Sequence, residues 1–347
     1  MLITPSTPAD DPELDALVSS VPDSLIYYTS RYRAFLQRVL PGVESSVLVA
    51  REAGRSVGFL PFSIKTDREW GGVLNSQPFF GSHGGVMVAP GVAGESVGRS
   101  LYGALSEVAR SRQLAAFTVV ENLLQPLSES DQQALGTEVV DYRIGQFTPL
   151  PDATGDVEAE VFSRLHLKTR NAVRKGRKAQ LRIECTTDPD VLAWFQRVHE
   201  ASILALGGVP KPLEVFRALF DVFGPAGQVR LYVGRKDAAP VCGLLVLLHG
   251  QTVEYYTPVV EDAHRDSQAL SGLIVDVMIA AAREGYRTWN WGGTWPSQAG
   301  VYRFKSRWGA EERQYRYHGR ILNPAITRAG KQEILTRFPS FYVYKFA

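Results

Sequence analysis

The chain has 347 residues, 45% of them hydrophobic and 21% charged, with a formal net charge of +2. This composition excludes disorder as the dominant state, and the length gives room for roughly two domains with cores of their own. Cys185 and Cys242 are the whole cysteine content, which excludes a disulfide framework and a cysteine-rich zinc module and points to a reducing compartment.

The N-terminal stretch carries Asp10, Asp11, Glu13 and Asp15, with neither the basic nor the apolar region of a signal peptide. The apolar run Val241 to Leu248 is far short of the roughly 20 residues that span a bilayer. No integral membrane segment and a cytoplasmic location are therefore expected.

In chain order, a strand at Val47–Arg51, a turn at Glu52–Ser56 and a strand from Val57 read as a hairpin. A helix at Ser96–Arg112 and a strand at Ala116–Val120 follow. The segment Pro149–Glu160 is rich in Pro, Asp, Thr and Gly and reads as a linker. A basic helix over 161–182 comes next. The hairpin then recurs as Leu231–Arg235, a turn at Lys236–Pro240 and a strand from Val241, followed by a helix at Leu270–Glu284 and a strand at Thr288–Trp291. The helix stops before Gly285, a natural C-cap residue. The same order of hairpin, helix and strand thus appears twice, which predicts two mixed α/β domains of similar topology. A short helix at Gln298–Trp308, a helix at Pro324–Arg337 and an aromatic tail of Phe341, Tyr342, Tyr344 and Phe346 close the chain. The apolar tail requires a covering surface.

Charge is unevenly spread. Between Ser163 and Ile183 stand eight cations (Arg164, Lys168, Arg170, Arg174, Lys175, Arg177, Lys178 and Arg182) and no acid, so the rest of the chain carries −6. A helix of this density is an anion-binding candidate, set against the plainer reading of a solvated face.

Two segments resemble the FemABX family, which includes the aminoacyltransferases that build peptidoglycan cross-bridges. One is Lys168-Thr169-Arg170-Asn171-Ala172-Val173-Arg174-Lys175-Gly176, similar to that family's basic helix. The other is Trp291-Gly292-Gly293 followed by Tyr302-Arg303-Phe304-Lys305 and Trp308-Gly309, similar to its C-terminal signature. The resemblance covers about residues 160–318, and the first half only by layout. It implies two tandem GNAT-like domains with mixed sheets: residues 1–155, to which 321–347 return, and 156–320, opening with the basic helix 161–182. It further implies an acyltransferase that moves an aminoacyl or acyl group to an amine of a cell-envelope, sugar or peptide precursor. Aminoacyl-tRNA or an acyl-thioester would be the donor co-substrate, and no cofactor is implied. The chain departs from the pattern at Asn290, where Asp is common, and in lacking the glycine-rich loop that cradles the pyrophosphate of coenzyme A in ordinary GNAT enzymes. The corresponding stretch is His264 to Leu270. With fewer glycines, fewer backbone N–H groups can approach a pyrophosphate.

Candidate residues follow. Lys305 matches the signature, and an ammonium there would stabilise the oxyanion of acyl transfer or hold a phosphate; the plain alternative is a surface Lys on a short helix. Gly292 and Gly293 end a strand and either admit a ligand to the backbone or make a turn. Arg170, Asn171, Arg174 and Lys175, with Arg303 beside the signature Lys, are the substrate-binding candidates, for phosphate on a nucleotide-linked acceptor or a tRNA end. Glu121 stands where some family members carry an acid proposed to assist amine deprotonation, set against the plainer and favoured reading of a turn or cap residue. His83, in a Gly-rich loop that resembles the family's acceptor border, is a candidate base or substrate contact. No metal-ligand spacing, Walker loop or nucleophile elbow is present. Two other readings are an acyl-CoA-dependent GNAT N-acetyltransferase and an RNA-binding module using the basic helix alone. The net −6 elsewhere and the lack of an RNA motif weigh against the latter.

Overall fold

In the computed structural model, residues 1–76, 79–82, 84–123 and 125–344 are described. The chain divides into two units, Met1–Ile144 with Arg313–Ala347, and Gly145–Glu312.

The first unit opens with β1 (Leu2–Pro5), α1 (Asp11–Ser20) and α2 (Ser30–Val39). The hairpin β2 (Val43–Glu52) and β3 (Arg55–Lys65) turns through Ala53 and Gly54, both at positive φ, the two-residue geometry that matches strand twist. β3 continues antiparallel into β4 (Val73–Ser76), while β5 (Met87–Val88) pairs off to its side. The helix α3 (Gly94–Ser111) buries Val97, Leu101, Leu105 and Ala109, a four-residue spacing that lays one apolar stripe on the sheet. It carries the chain across to β6 (Ala116–Val120), parallel to β4 with Val73 opposite Ala116. Then come α4 (Glu129–Leu135), capped by Ser128, and β7 (Val139–Pro149), which starts in the first unit and ends in the second.

The second unit continues with α5 (Val157–Arg164) and α6 (Leu167–Arg177). These replace the single basic helix expected over 161–182. Asp156 starts α5 by accepting from Ala159 N at 3.0 Å, inside the expected linker. Extended backbone at Leu165 and His166 breaks the run, and His166 Nδ1 caps α6 by accepting from Lys168 N at 3.1 Å. β8 (Arg182–Thr186) already begins at the last expected helical residue. After α7 (Pro189–Ala205) and α8 (Leu213–Phe223) come β9 (Val229–Lys236), β10 (Ala239–His249) and β11 (Thr252–Val260). The β9–β10 turn again uses two residues at positive φ, Asp237 and Ala238. Helix α9 (Ala269–Arg283) is apolar on nearly every side and buries eleven residues. It leads to β12 (Thr288–Thr294), parallel to β11 with Thr252 opposite Thr288. The strand order is β7-β12-β11-β10-β9-β8, and the core around α9 includes Leu244, Val246, Ile274, Met278, Trp289 and Trp291. α10 (Ala299–Ser306) ends the unit.

The chain then re-enters the first unit through β13 (Glu311–Ile321), antiparallel to β6, giving the order β1-β2-β3-β4-β6-β13 there. Instead of one helix over Pro324–Arg337, a 3₁₀ turn at Pro324–Arg328 and α11 (Lys331–Arg337) are separated by extended Ala329 and Gly330. The aromatic tail is covered by this unit. Phe341 packs on Phe79 with ring centroids 4.7 Å apart, and the backbone of Tyr342 exchanges two hydrogen bonds with the Asn75 side chain at 2.7 and 2.8 Å. Phe346 lies outside the described residues. The predicted repeat is thus a real feature of topology: an antiparallel three-strand meander, a crossover helix and a parallel strand occur once in each unit. The unit boundaries fall at 144/145 and 312/313, within β7 and β13, whereas the sequence reading puts them at 155/156 and 320/321.

Candidate active site

In the second unit, β11 and β12 pair over only three positions, ending at Glu254 opposite Asn290. Beyond that point β11 runs on to Val260 and β12 to Thr294 without pairing to each other, so the sheet opens between them. Alternation puts Trp289 and Trp291 on one face, with rings 5.8 Å apart, and Tyr255 packs 4.7 Å from Trp291. Trp291 is fixed further by its indole N–H, which donates to Thr148 Oγ1 at 2.8 Å. On the other face the buried Asn290 donates to Glu254 Oε1 at 2.7 Å and accepts from Gly292 N at 2.8 Å. Gly292 has φ +72°, the left-handed region that glycine enters without strain, so the signature glycine turns the strand end.

Lys305 reaches this strand end from α10. Its ammonium donates to the carbonyls of Gly292 and Gly293 at 3.3 Å each and to Thr294 Oγ1 at 2.8 Å. Thr294 is held in turn by Gln146, 3.3 Å away. Lys305 is only 7% exposed, which sets aside the plain alternative of a surface Lys. No carboxylate pairs with it among the described residues, and burial pulls its pKa down to about 8. The ammonium therefore gives up its proton more readily than an exposed lysine and has no competing anion among the described residues. Trp295, the third tryptophan around the glycines, is 42% exposed.

The opposite side of α10 faces a pocket of about 180 Å³ lined by Lys168, Gln268, Ser271, Arg303, Phe304 and Arg307, among others, with no acid in its wall. Three cations converge over an aromatic floor, which suits an anion. Of the substrate-binding candidates, only Arg303 lines this pocket. Arg170 is half-buried, and its buried Nε has no hydrogen-bond partner. Asn171, Arg174 and Lys175 are exposed on α6, with Arg174 donating to Asn171 at 3.3 Å. Not all eight cations are uncompensated. Arg177 bridges Glu158 at 2.5 Å and Asp276 at 2.6 Å, and Arg182 pairs with Glu184 at 3.0 Å. The acids that neutralise these two lie outside the basic stretch, Glu184 just past its end and Asp276 far along the chain on α9. Arg307, Gln268 and Ser271 were missed as pocket residues. Arg307 sits between the two halves of the Phe304-Lys305 and Trp308-Gly309 signature, and this was the available signal.

Helix α6 packs directly on the start of α9. A Cβ on Gly176 would collide with the Gln268 carbonyl oxygen and stand 2.9 Å from the Gly272 nitrogen. That contact sets α6 against the Gln268 carbonyl and the fourth residue of α9, while Gln268 and Ser271 at the start of the helix also line the cationic pocket.

In the first unit, Glu121 follows β6 and is buried. Its carboxylate accepts from Leu127 N at 3.0 Å and from Arg316 N at 2.8 Å, and His318 Nε2 lies 3.8 Å away. Burial alone would raise its pKa, but His318 and the two backbone donors outweigh burial and hold the carboxyl below its usual range. This geometry ties the loop after β6 to β13 and makes the carboxylate a weak base. His83 lies outside the described residues.

Residues 163–306 match the family model of an acetyltransferase (GNAT) domain. Among curated proteins, none matches the chain by sequence. Among solved structures, that of FemX is similar at 15% identity over 94% of this chain and 99% of that one, with a TM-score of 0.70. The chain has the FemX fold. A tandem GNAT protein from the clavulanic acid biosynthesis pathway aligns at 14% identity over 92% of this chain and 98% of that one, with a TM-score of 0.57. The C-terminal domain of a putative lysylphosphatidylglycerol synthetase from Agrobacterium fabrum aligns at 12% identity over 94% and 96%, with a TM-score of 0.56. The FemABX-like resemblance and the tandem GNAT architecture expected from sequence are met, and with the domain match the chain is an acyltransferase, which implies an acyl donor and an amine acceptor. Among the described residues no helix is long and apolar enough to cross a membrane.

Proposed function

We propose that the chain transfers an aminoacyl or acyl group to an amine of a cell-envelope, sugar or peptide precursor, in the manner of FemABX enzymes. The observation that carries this reading is the Lys305 ammonium, held at the end of β12 beside the opening of the sheet and unpaired with any described carboxylate. The acceptor amine attacks the donor carbonyl carbon, the new C–N bond forms, and the carbonyl pair moves onto oxygen. A fixed ammonium next to that oxyanion lowers the barrier. Collapse of the intermediate breaks the bond to the donor's leaving oxygen or sulfur, which departs with a proton from the amine.

The cationic pocket of Lys168, Arg303 and Arg307 suits a phosphate of the donor. Gln268 at φ +60°, in the stretch where a glycine-rich cradle would stand, favours an aminoacyl ester on tRNA over coenzyme A. The match to an acetyltransferase domain favours the second reading, an acyl-CoA-dependent N-acetyltransferase. A donor screen decides between them: the purified protein is given charged tRNAs or acyl-CoA thioesters with a panel of amine acceptors, and amides are detected by mass. Amide formed from charged tRNA is the expected result. Product from acyl-CoA alone supports the second reading, and no amide from either donor class overturns both.

A further inference from the structure

A second cavity, of about 630 Å³, lies in the second unit on the side of α7 and α8. It is bounded by the last turn of α7, the connection to α8, the half of β11 that does not pair with β12 and the start of α9. Its volume is in the range of small-molecule sites. The walls are mostly apolar, with Ile203, Leu206, Pro258, Val259 and Leu270 among them. Leu204, Leu206 and Val209, along the connection from α7, are 58%, 82% and 87% exposed, a run of large apolar side chains left in water.

Three side chains with donor groups line this cavity. The hydroxyls of Tyr256 and Thr257 are buried without a hydrogen-bond partner. The Lys211 ammonium sits 5.0 Å from the Tyr256 ring centroid and has no acidic partner among the described residues. Lys211 is held in place because its backbone N–H donates to Nε2 of the buried His199 at 3.1 Å. Burial and the nearby Lys211 keep His199 neutral, with a pKa of about 4, so it adds no second cation. The charged groups at the rim neutralise each other, with Arg265 bonded to Asp262 at 2.6 Å. A buried donor without an acceptor is costly, and native folds seldom leave two such hydroxyls side by side. An anionic group that only accepts serves both hydroxyls and pairs with the ammonium. One cation among apolar walls balances a single negative charge and leaves a phosphate dianion half unpaired.

We propose that this cavity binds a carboxylate attached to an apolar body, with Lys211, Tyr256 and Thr257 donating to the carboxylate and the apolar walls enclosing the remainder. The site is separate from the pocket of Lys168, Arg303 and Arg307 and does not depend on the role of Lys305. Isothermal titration of the full chain with octanoate, octan-1-ol and octyl phosphate tests it. Octanoate binds best, Lys211→Met weakens it by roughly tenfold or more, and Tyr256→Phe weakens it severalfold. Octanol binding as tightly as octanoate, octyl phosphate binding more tightly, or no octanoate binding overturns the proposal. Unchanged affinity in Lys211→Met also overturns it. If Lys211→Met does not fold, unchanged affinity in Tyr256→Phe has the same force.

Discussion

An ammonium buried among three neutral oxygens, as at Lys305, serves the fold and the proposed chemistry together. Its removal leaves the carbonyls of Gly292 and Gly293 short of a donor, so Lys305→Met is expected to lower stability by about 1–3 kcal/mol, read as a fall in the denaturation midpoint. A surface Lys, the plain alternative, gives almost no such effect. Because burial sets the folded pKa at about 8, below the ordinary 10.5, the unfolded chain holds the extra proton between those values. Burial of the charge therefore offsets part of what the three hydrogen bonds contribute at pH values below 8, and that offset is relieved as pH rises toward 10.5. Comparing the wild type and Lys305→Met by thermal unfolding across this window should show a pH-dependent gain in the wild type that the variant lacks. Transfer that needs the charged form should fall as pH rises through about 8. At Glu121, Glu121→Gln keeps one acceptor but loses the charge facing His318 and Arg316. It should lower the melting temperature while changing the transfer rate less than severalfold, whereas a rate collapse with unchanged stability would restore the general-base reading.

At the scale of elements, the α6–α9 contact is a backbone approach that only glycine allows. Gly176→Ala is expected to cost about 1–3 kcal/mol or to displace α6, because the atoms a new methyl meets are backbone and cannot swing aside. A midpoint of unfolding equal to the wild type's would show that the contact is looser. The pair Lys168→Ala and Arg303→Ala should weaken donor binding and flatten its salt dependence. An unchanged salt slope would mean that this face is merely solvated. The basic segment was legible as cationic and helical, but not as two helices, since its apolar spacing continues through Leu165 while the break depends on His166 folding back to cap α6. Its ion pairs were illegible because Glu158 and Asp276 sit on other elements.

At the scale of the whole molecule, the twofold recurrence of hairpin, helix and strand was readable because each piece announces itself locally, through turn residues, apolar period and the Gly285 stop. The boundaries were not, because β7 and β13 each run through a unit boundary, and strand exchange leaves no mark in composition. The signature around Gly292 and Lys305 was legible as a motif. The cavity at Lys211 was not, since Lys211, Tyr256 and His199 come from separate elements and no spacing connects them. The single-turnover rate of amide formation, compared between wild type and folded Lys305→Ala, tests the central assignment most directly. Loss of about a hundredfold or more, on the order of 3 kcal/mol of barrier, is expected if the ammonium stabilises the oxyanion. A rate within about twofold of the wild type, with the variant folded and substrate saturating, contradicts it.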